Sequence, residues 1–332
     1  MMRASAPFLV GLLAALAACS SGPEKLSPEQ EFELYSERAS GYYQAGDVAR
    51  AEDQAQRALS VKRRDVPMRL MLGWIALQRG DTQNLLLAEQ IFREVLEDSK
   101  DSTQGQLGLA ESLERLGVVD SQTADGIASG ERLPQRGTKE ARAEALRESA
   151  RRRWKEAVRH FEGALGERER SLKALNGLQR THTLLGQYEE ALAYAERVIE
   201  AARAESEDFR LLMERAKLPP QREVELRQSE ARARRLRGDT HMLASDLLVR
   251  LERPESALAH LDQALELDPT RVDALGRRAE LRYARGDAVG AITDIDLLLA
   301  QATDLAYEHP DIRRAYDLRA KCETLRAQQP KP

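Results

Sequence analysis

Residues 42–61 read "YYQAGDVARAEDQAQRALSV". Gly46 stands between two runs that both favour helix, where a glycine can close the first helix in a left-handed turn without a Cβ penalty. Asp47 is suited to cap the next helix by accepting its first amide protons. Beyond it Ala51, Ala55 and Ala58 recur at spacings of four and three, one face of a helix. Alanine on that face lets a neighbouring helix approach closely.

The pattern returns in "ALQRGDTQNLLLAEQIFREVL" (76–96), "TLLGQYEEALAYAERVIE" (183–200) and "RYARGDAVGAITDIDLLLA" (282–300). In "LERPESALAHLDQALELDP" (251–269) Glu252 takes the glycine's place. Gly46 to Gly80 is 34 residues, and so is Glu252 to Gly286. Six second helices share one register of small or apolar residues: Ala51, Ala55, Ala58; Ala88, Phe92, Val95; Ala157, Phe161, Ala164; Ala191, Ala195, Val198; Ala257, Leu261, Ala264; Ala291, Ile295, Leu298.

A helix-turn-helix of this period resembles the tetratricopeptide repeat (TPR) over roughly residues 32–300. The resemblance implies an all-α solenoid of about six degenerate repeats. Tyr42 and Leu72-Gly73 fit the first-helix motif, the usual tryptophan is missing, and the closing proline survives as Pro269. Gly117 is read as the turn of repeat three, which makes Gly117 to Gly186, at 69 residues, one period too long. An insertion over 118–152 is therefore expected to begin as a loop, "VVDSQTADGIASGERLPQRGTK", and to end in the charged helix "EARAEALRESARRR". A second insertion, 201–238, should be split by Pro219 and Pro220. The remaining boundaries follow: repeats one, two and the first helix of three over 32–117, the rest of three and repeat four over 153–200, repeats five and six over 239–302. A polar-faced capping helix and tail complete the chain over 303–332.

At the start, the apolar run within residues 4–18 is too short to span a bilayer and follows Arg3, as in a secretory signal peptide. Leu16-Ala17-Ala18-Cys19 resembles the lipobox of bacterial lipoproteins, which implies removal of 1–18, acylation of Cys19 and a tether over 19–31. Ser20 resembles the residue found in lipoproteins sorted to the outer membrane. The only other cysteine is Cys322, so disulfides do not hold the fold.

Composition agrees with export but says little about chemistry. With 51 basic against 55 acidic residues the chain has a formal charge of −4, which makes no case for nucleic acid. His160, His182, His241, His260 and His309 include no i, i+4 pair, so metal-ligand spacing is absent. "GERLPQRGTK" lacks the spacing and preceding strand of a phosphate loop. Two of three "RGD" triplets, 79–81 and 285–287, coincide with the interhelical turn, and Arg151-Arg152-Arg153 reads as a solvated helix face. The sequence supports no enzyme, cofactor, metal or small-molecule substrate.

In TPR proteins the first helices line a concave groove. The resemblance places Ser36, Ser40, Tyr43, Leu70, Trp74, Leu77, Asn176, Arg180, Thr183, Asp246, Arg277 and Tyr283 there. Tyr43, Trp74, Asn176, Arg180, Arg277 and Tyr283 are the candidate partner contacts, aromatics and arginine being the strongest anchors. Scattered Asn176 and Arg180 do not make a carboxylate clamp. The expectation is a lipid-anchored adaptor on the periplasmic face of the bacterial outer membrane, holding protein partners through the groove or the 118–152 insertion in pilus, secretin or cell-wall assembly. The alternatives are a periplasmic chaperone and an accessory subunit of a cell-wall enzyme.

Overall fold

The computed structural model describes residues 26–134, 136–166, 170–215, 218–302 and 309–328. Cys19 and the leader lie outside the described residues. Among those described there are thirteen helices and no strand: α1 (Pro28–Gln44), α2 (Val48–Val61), α3 (Val66–Arg79), α4 (Thr82–Asp98), α5 (Thr103–Ser129), α6 (Lys139–Leu165), α7 (Leu172–Leu185), α8 (Tyr188–Arg215), α9 (Pro220–Arg250), α10 (Pro254–Leu267), α11 (Val272–Ala284), α12 (Ala288–Gln301) and α13 (Pro310–Gln328). No helix among them is long and apolar enough to cross a membrane. The all-α expectation holds. The chain divides into two units, the first ending at Ile75 and the second beginning at Ala76.

In the first unit Ser27 and Gln30 form a reciprocal capping box at the start of α1. Ala39 of α1 meets Ala55 and Ala58 of α2, with Met68, Phe32 and Tyr35 packed around them. The turn forms as its composition requires: Gly46 has φ 77° and the Asp47 side chain accepts from the Arg50 amide. In the second unit Gly80, Gly186 and Gly286 repeat that left-handed conformation, and Asp81 and Asp287 repeat the cap.

All eighteen positions of the second-helix register are buried, none more than 4% exposed. Ala164→Trp or Ala264→Trp is therefore expected to cost about 1–3 kcal/mol through overpacking, whereas Glu190→Trp on the exposed face of α8 should change stability little. Equal melting temperatures for the three variants would contradict this packing.

Glu252 occupies the glycine position with φ 57°, the one positive-φ non-glycine among the described residues. A Cβ in that region is disfavoured by about 1–2 kcal/mol. Some of the relief from removing it returns as unfolded-chain entropy. Glu252→Gly is expected to stabilise the protein by about 0.5–1 kcal/mol in thermal melts; a destabilised variant would show that the Glu252 side chain contributes a compensating contact.

Two corrections concern the insertions. Gly117 is not a turn. It lies inside the 27-residue helix α5, where a Cβ would overlap the indole of Trp154, and Trp154 Nε1 donates to the Glu114 carbonyl at 3.2 Å. The glycine is there for close approach, not for helix termination. Residues 118–129, expected as loop, are helical because Ala124 and Ile127 continue an apolar face that packs on Ala143 and Leu146 of α6. The actual connection is 130–138, from Gly130 at φ 86° to the Thr138 cap.

The arginine triplet of α6 is not simply solvated either. Arg153 reaches Glu89 of α4 at 2.9 Å and Asp120 of α5 at 3.3 Å. At the second insertion, α8 ends at Arg215 and α9 starts at Pro220 with Pro219 at its N-cap position, so the two prolines open the second of two long helices. The third "RGD" falls within α9, where Gly238 is buried and Asp239 pairs with Arg271 at 2.6 Å.

Candidate partner-binding surface

Tyr43 is 39% exposed and Trp74 is half-buried; both belong to the first unit. Leu77, assigned to the groove, is instead a core residue at 2% exposure.

In the second unit the charged candidates have internal partners. Arg180 of α7 forms a bidentate pair with Glu114 of α5, Nε to Oε1 at 2.8 Å and Nη2 to Oε2 at 2.9 Å. Arg277 of α11 pairs with Asp246 of α9. Each pair links a first helix to the preceding one, so these arginines hold successive repeats together instead of presenting a free cation. Asn176 is half-buried on α7, and Thr183 Oγ1 accepts from Gln179 Nε2 at 3.1 Å. None of these side chains shares a cleft with Tyr283; Arg277 lines the adjoining one.

Tyr283 lines a cleft of about 580 Å³ between α11 and α13, with Glu280, Arg314, Leu318 and Lys321. A second cleft of about 550 Å³ shares Glu280, Arg314 and Leu318 with the first. Its lining adds Gly276, Ala279, Leu298 and Ala315, an apolar floor under a charged rim. The contribution of α13 was missed because that segment reads as a polar cap. Its apolar stripe, Ile312, Ala315, Leu318, Cys322 and Leu325, joins the core of α11 and α12 and was a legible signal.

Two further clusters were invisible to spacing. His241 of α9 and His260 of α10 place their Nδ1 atoms 3.0 Å apart. Burial, with His260 and Arg237 adding to it, pulls His241 down to about 4, and burial also lowers His260 against the opposing influence of Glu196. Asp294 of α12 is fully buried and accepts from Arg278 at 2.6 and 3.0 Å and from Arg282 at 2.8 Å. No group of three or more His, Cys, Asp or Glu among the described residues is placed to hold a metal.

Family models for the tetratricopeptide repeat match residues 37–102, 172–205 and 242–306. These segments are tetratricopeptide repeats. Curated proteins return no match. Among solved structures, a double mutant titled MamA RS-1 ArsTM is 16% identical, covering 72% of this chain and 95% of that one at a TM-score of 0.45. Pseudomonas aeruginosa PilF is 18% identical, with coverages of 83% and 91% and a TM-score of 0.42. PilW, titled a type IV pilus biogenesis factor, is 15% identical, with coverages of 74% and 97% and a TM-score of 0.38. The segments between the matched TPRs contain the extended parts of α5–α6 and α8–α9.

Proposed function

We propose that this protein is a non-enzymatic TPR adaptor whose partner docks at the α11–α13 cleft and which is held at a bacterial envelope membrane by lipid on Cys19. The observation that carries the docking site is two adjoining clefts, one lined by Tyr283 and the other floored by Ala279, Leu298 and Ala315, that share Leu318 and a charged rim of Glu280 and Arg314. A surface of that kind excludes water around an aromatic anchor while the rim selects orientation. Membrane anchoring rests on Leu16-Ala17-Ala18-Cys19, and action in envelope assembly follows from that placement.

Crosslinked pull-down from membranes tests both parts. A stoichiometric protein partner is expected with the wild type, and Tyr283→Ala with unchanged circular dichroism should weaken its capture at least tenfold, the loss of a typical aromatic anchor. Undiminished capture by that variant would move the site elsewhere. Separately, Cys19→Ser should release the protein from the membrane fraction or leave its precursor unprocessed; a wild-type mature chain that is soluble and starts at another residue rules out the anchor.

A further inference from the structure

The half-buried arginines of the second unit follow a rule that one of them breaks. Arg153, Arg271, Arg278 and Arg282 each face a carboxylate within 3.3 Å. Arg237 of α9 is also half-buried, yet its Nε is shielded from solvent with no hydrogen-bond partner. Its charged neighbours are three other arginines and one glutamate.

The helix register explains why. Ser206 of α8 donates to Glu230 of α9 at 3.1 Å, which sets the two helices side by side at that level. Arg203 and Arg210 lie one turn to either side of Ser206 on α8; Arg234 and Arg237 continue the stripe from Glu230 along α9. Arg203, Arg234 and Arg210 are exposed around the shielded Arg237. The opposing acid is Glu207, and it is already engaged by Arg203 at 3.4 Å. Arg234 spends one donor on the Leu267 carbonyl at 2.8 Å. Burial and the surrounding arginines, Arg203 foremost, together pull the Arg237 guanidinium below its ordinary value, while Glu207 opposes them.

A half-buried guanidinium whose shielded Nε has no acceptor, among mostly like charges, is an arrangement that an anion completes. Forked donors arriving from two helices match a group with several acceptor oxygens better than they match a single carboxylate. We propose that Arg237, with Arg203 and Arg234, binds a phosphate-class oxyanion at the seam of the α8–α9 hairpin. The phosphate can belong to a free ion or to a lipid headgroup. Arg234 and Arg237 lie outside the segments that match the repeat models, Arg203 lies near the end of one of them, and the site is independent of the α11–α13 cleft.

The test uses the full chain carrying Cys19→Ser, so that acylation cannot attach it to vesicles. Inorganic phosphate at about 10 mM is expected to raise the melting temperature by about 3 °C or more over chloride of equal ionic strength. Arg237→Gln should abolish the difference; Arg152→Gln, exposed on α6, should keep it. Glu207→Gln, which removes the competing carboxylate, should tighten phosphate binding about threefold. Flotation with phosphatidylglycerol against phosphatidylcholine vesicles separates the sources: retention on the former that Arg237→Gln loses assigns a lipid headgroup, and a phosphate response without retention assigns a free ion. If Arg237→Gln loses helicity, the exposed pair Arg203→Gln and Arg234→Gln carries the test, with at least tenfold weaker binding expected. The proposal is overturned if phosphate equals chloride and neither vesicle is preferred, or if the folded arginine variants respond as the wild type does.

Discussion

Asp294→Ala is expected to cost about 3–5 kcal/mol. The Asp294 carboxylate is fully buried between two guanidinia of α11, Arg278 and Arg282, four residues apart on one helix face. Removing it deprives two partly desolvated cations of the counter-ion they share, and each guanidinium loses its hydrogen bonds to that carboxylate. Arg278 keeps Asp262 at 2.6 Å, but that carboxylate is half exposed. Asp262→Ala should accordingly cost about 1 kcal/mol or less. Urea denaturation of both variants decides the matter: an Asp294→Ala protein within about 1 kcal/mol of the wild type would show that the cluster does not hold α11 to α12.

Stability is also expected to fall steeply between pH 6.5 and 4, and the His241–His260 pair is its main source in that window. His241 titrates near its ordinary value of 6.5 in the unfolded chain and at about 4 in the folded one. Above pH 6.5 both states hold it neutral and its contribution is complete. As pH falls, the unfolded chain takes up a proton that the folded chain refuses, so the contribution is lost progressively until about pH 4. The loss is on the order of 3 kcal/mol for His241. His260 and His160, both lowered by burial, act in the same direction. The carboxylates whose folded values are depressed, Asp47, Asp81, Asp268 and Glu156, also lose stability on acidification but at lower pH, below their unfolded values near 4. Melting temperatures at pH 7, 6 and 5 should therefore drop in the wild type and drop less in His241→Gln. Parallel profiles would assign the slope to other groups.

The repeated fold was legible in short-range pattern. Ala51, Ala55 and Ala58, and their five counterparts, name the contact faces because helix geometry alone puts residues four and three apart on one side. The turn after Tyr42 is equally local: glycine supplies the left-handed angle and aspartate the cap, and neither depends on distant residues. Pro219 and Pro220 separate α8 from α9 through the chain's own stereochemistry.

Other features depended on groups that only packing brings together. Gly117 looks like every other turn glycine in the sequence, and what distinguishes it is Trp154, 37 residues later, lying against its helix. Arg278 and Arg282 stand where an earlier repeat has Leu72 and Ala76, and their role exists because Asp294 arrives from α12. Arg180 and Arg277 carry the residue type of a binding site but are occupied by Glu114 and Asp246 of neighbouring helices. His241 and His260, 19 residues apart, form a pair across two helices that no i, i+4 rule could find. Sequence alone determined the second helices of the repeats, the glycine–aspartate turns before them and the faces they bury, because those follow from backbone geometry within a few residues. Only the tertiary structure decided which charges are neutralised, which glycine admits a ring and which arginine Nε remains without an acceptor, because these are set by side chains that meet through space.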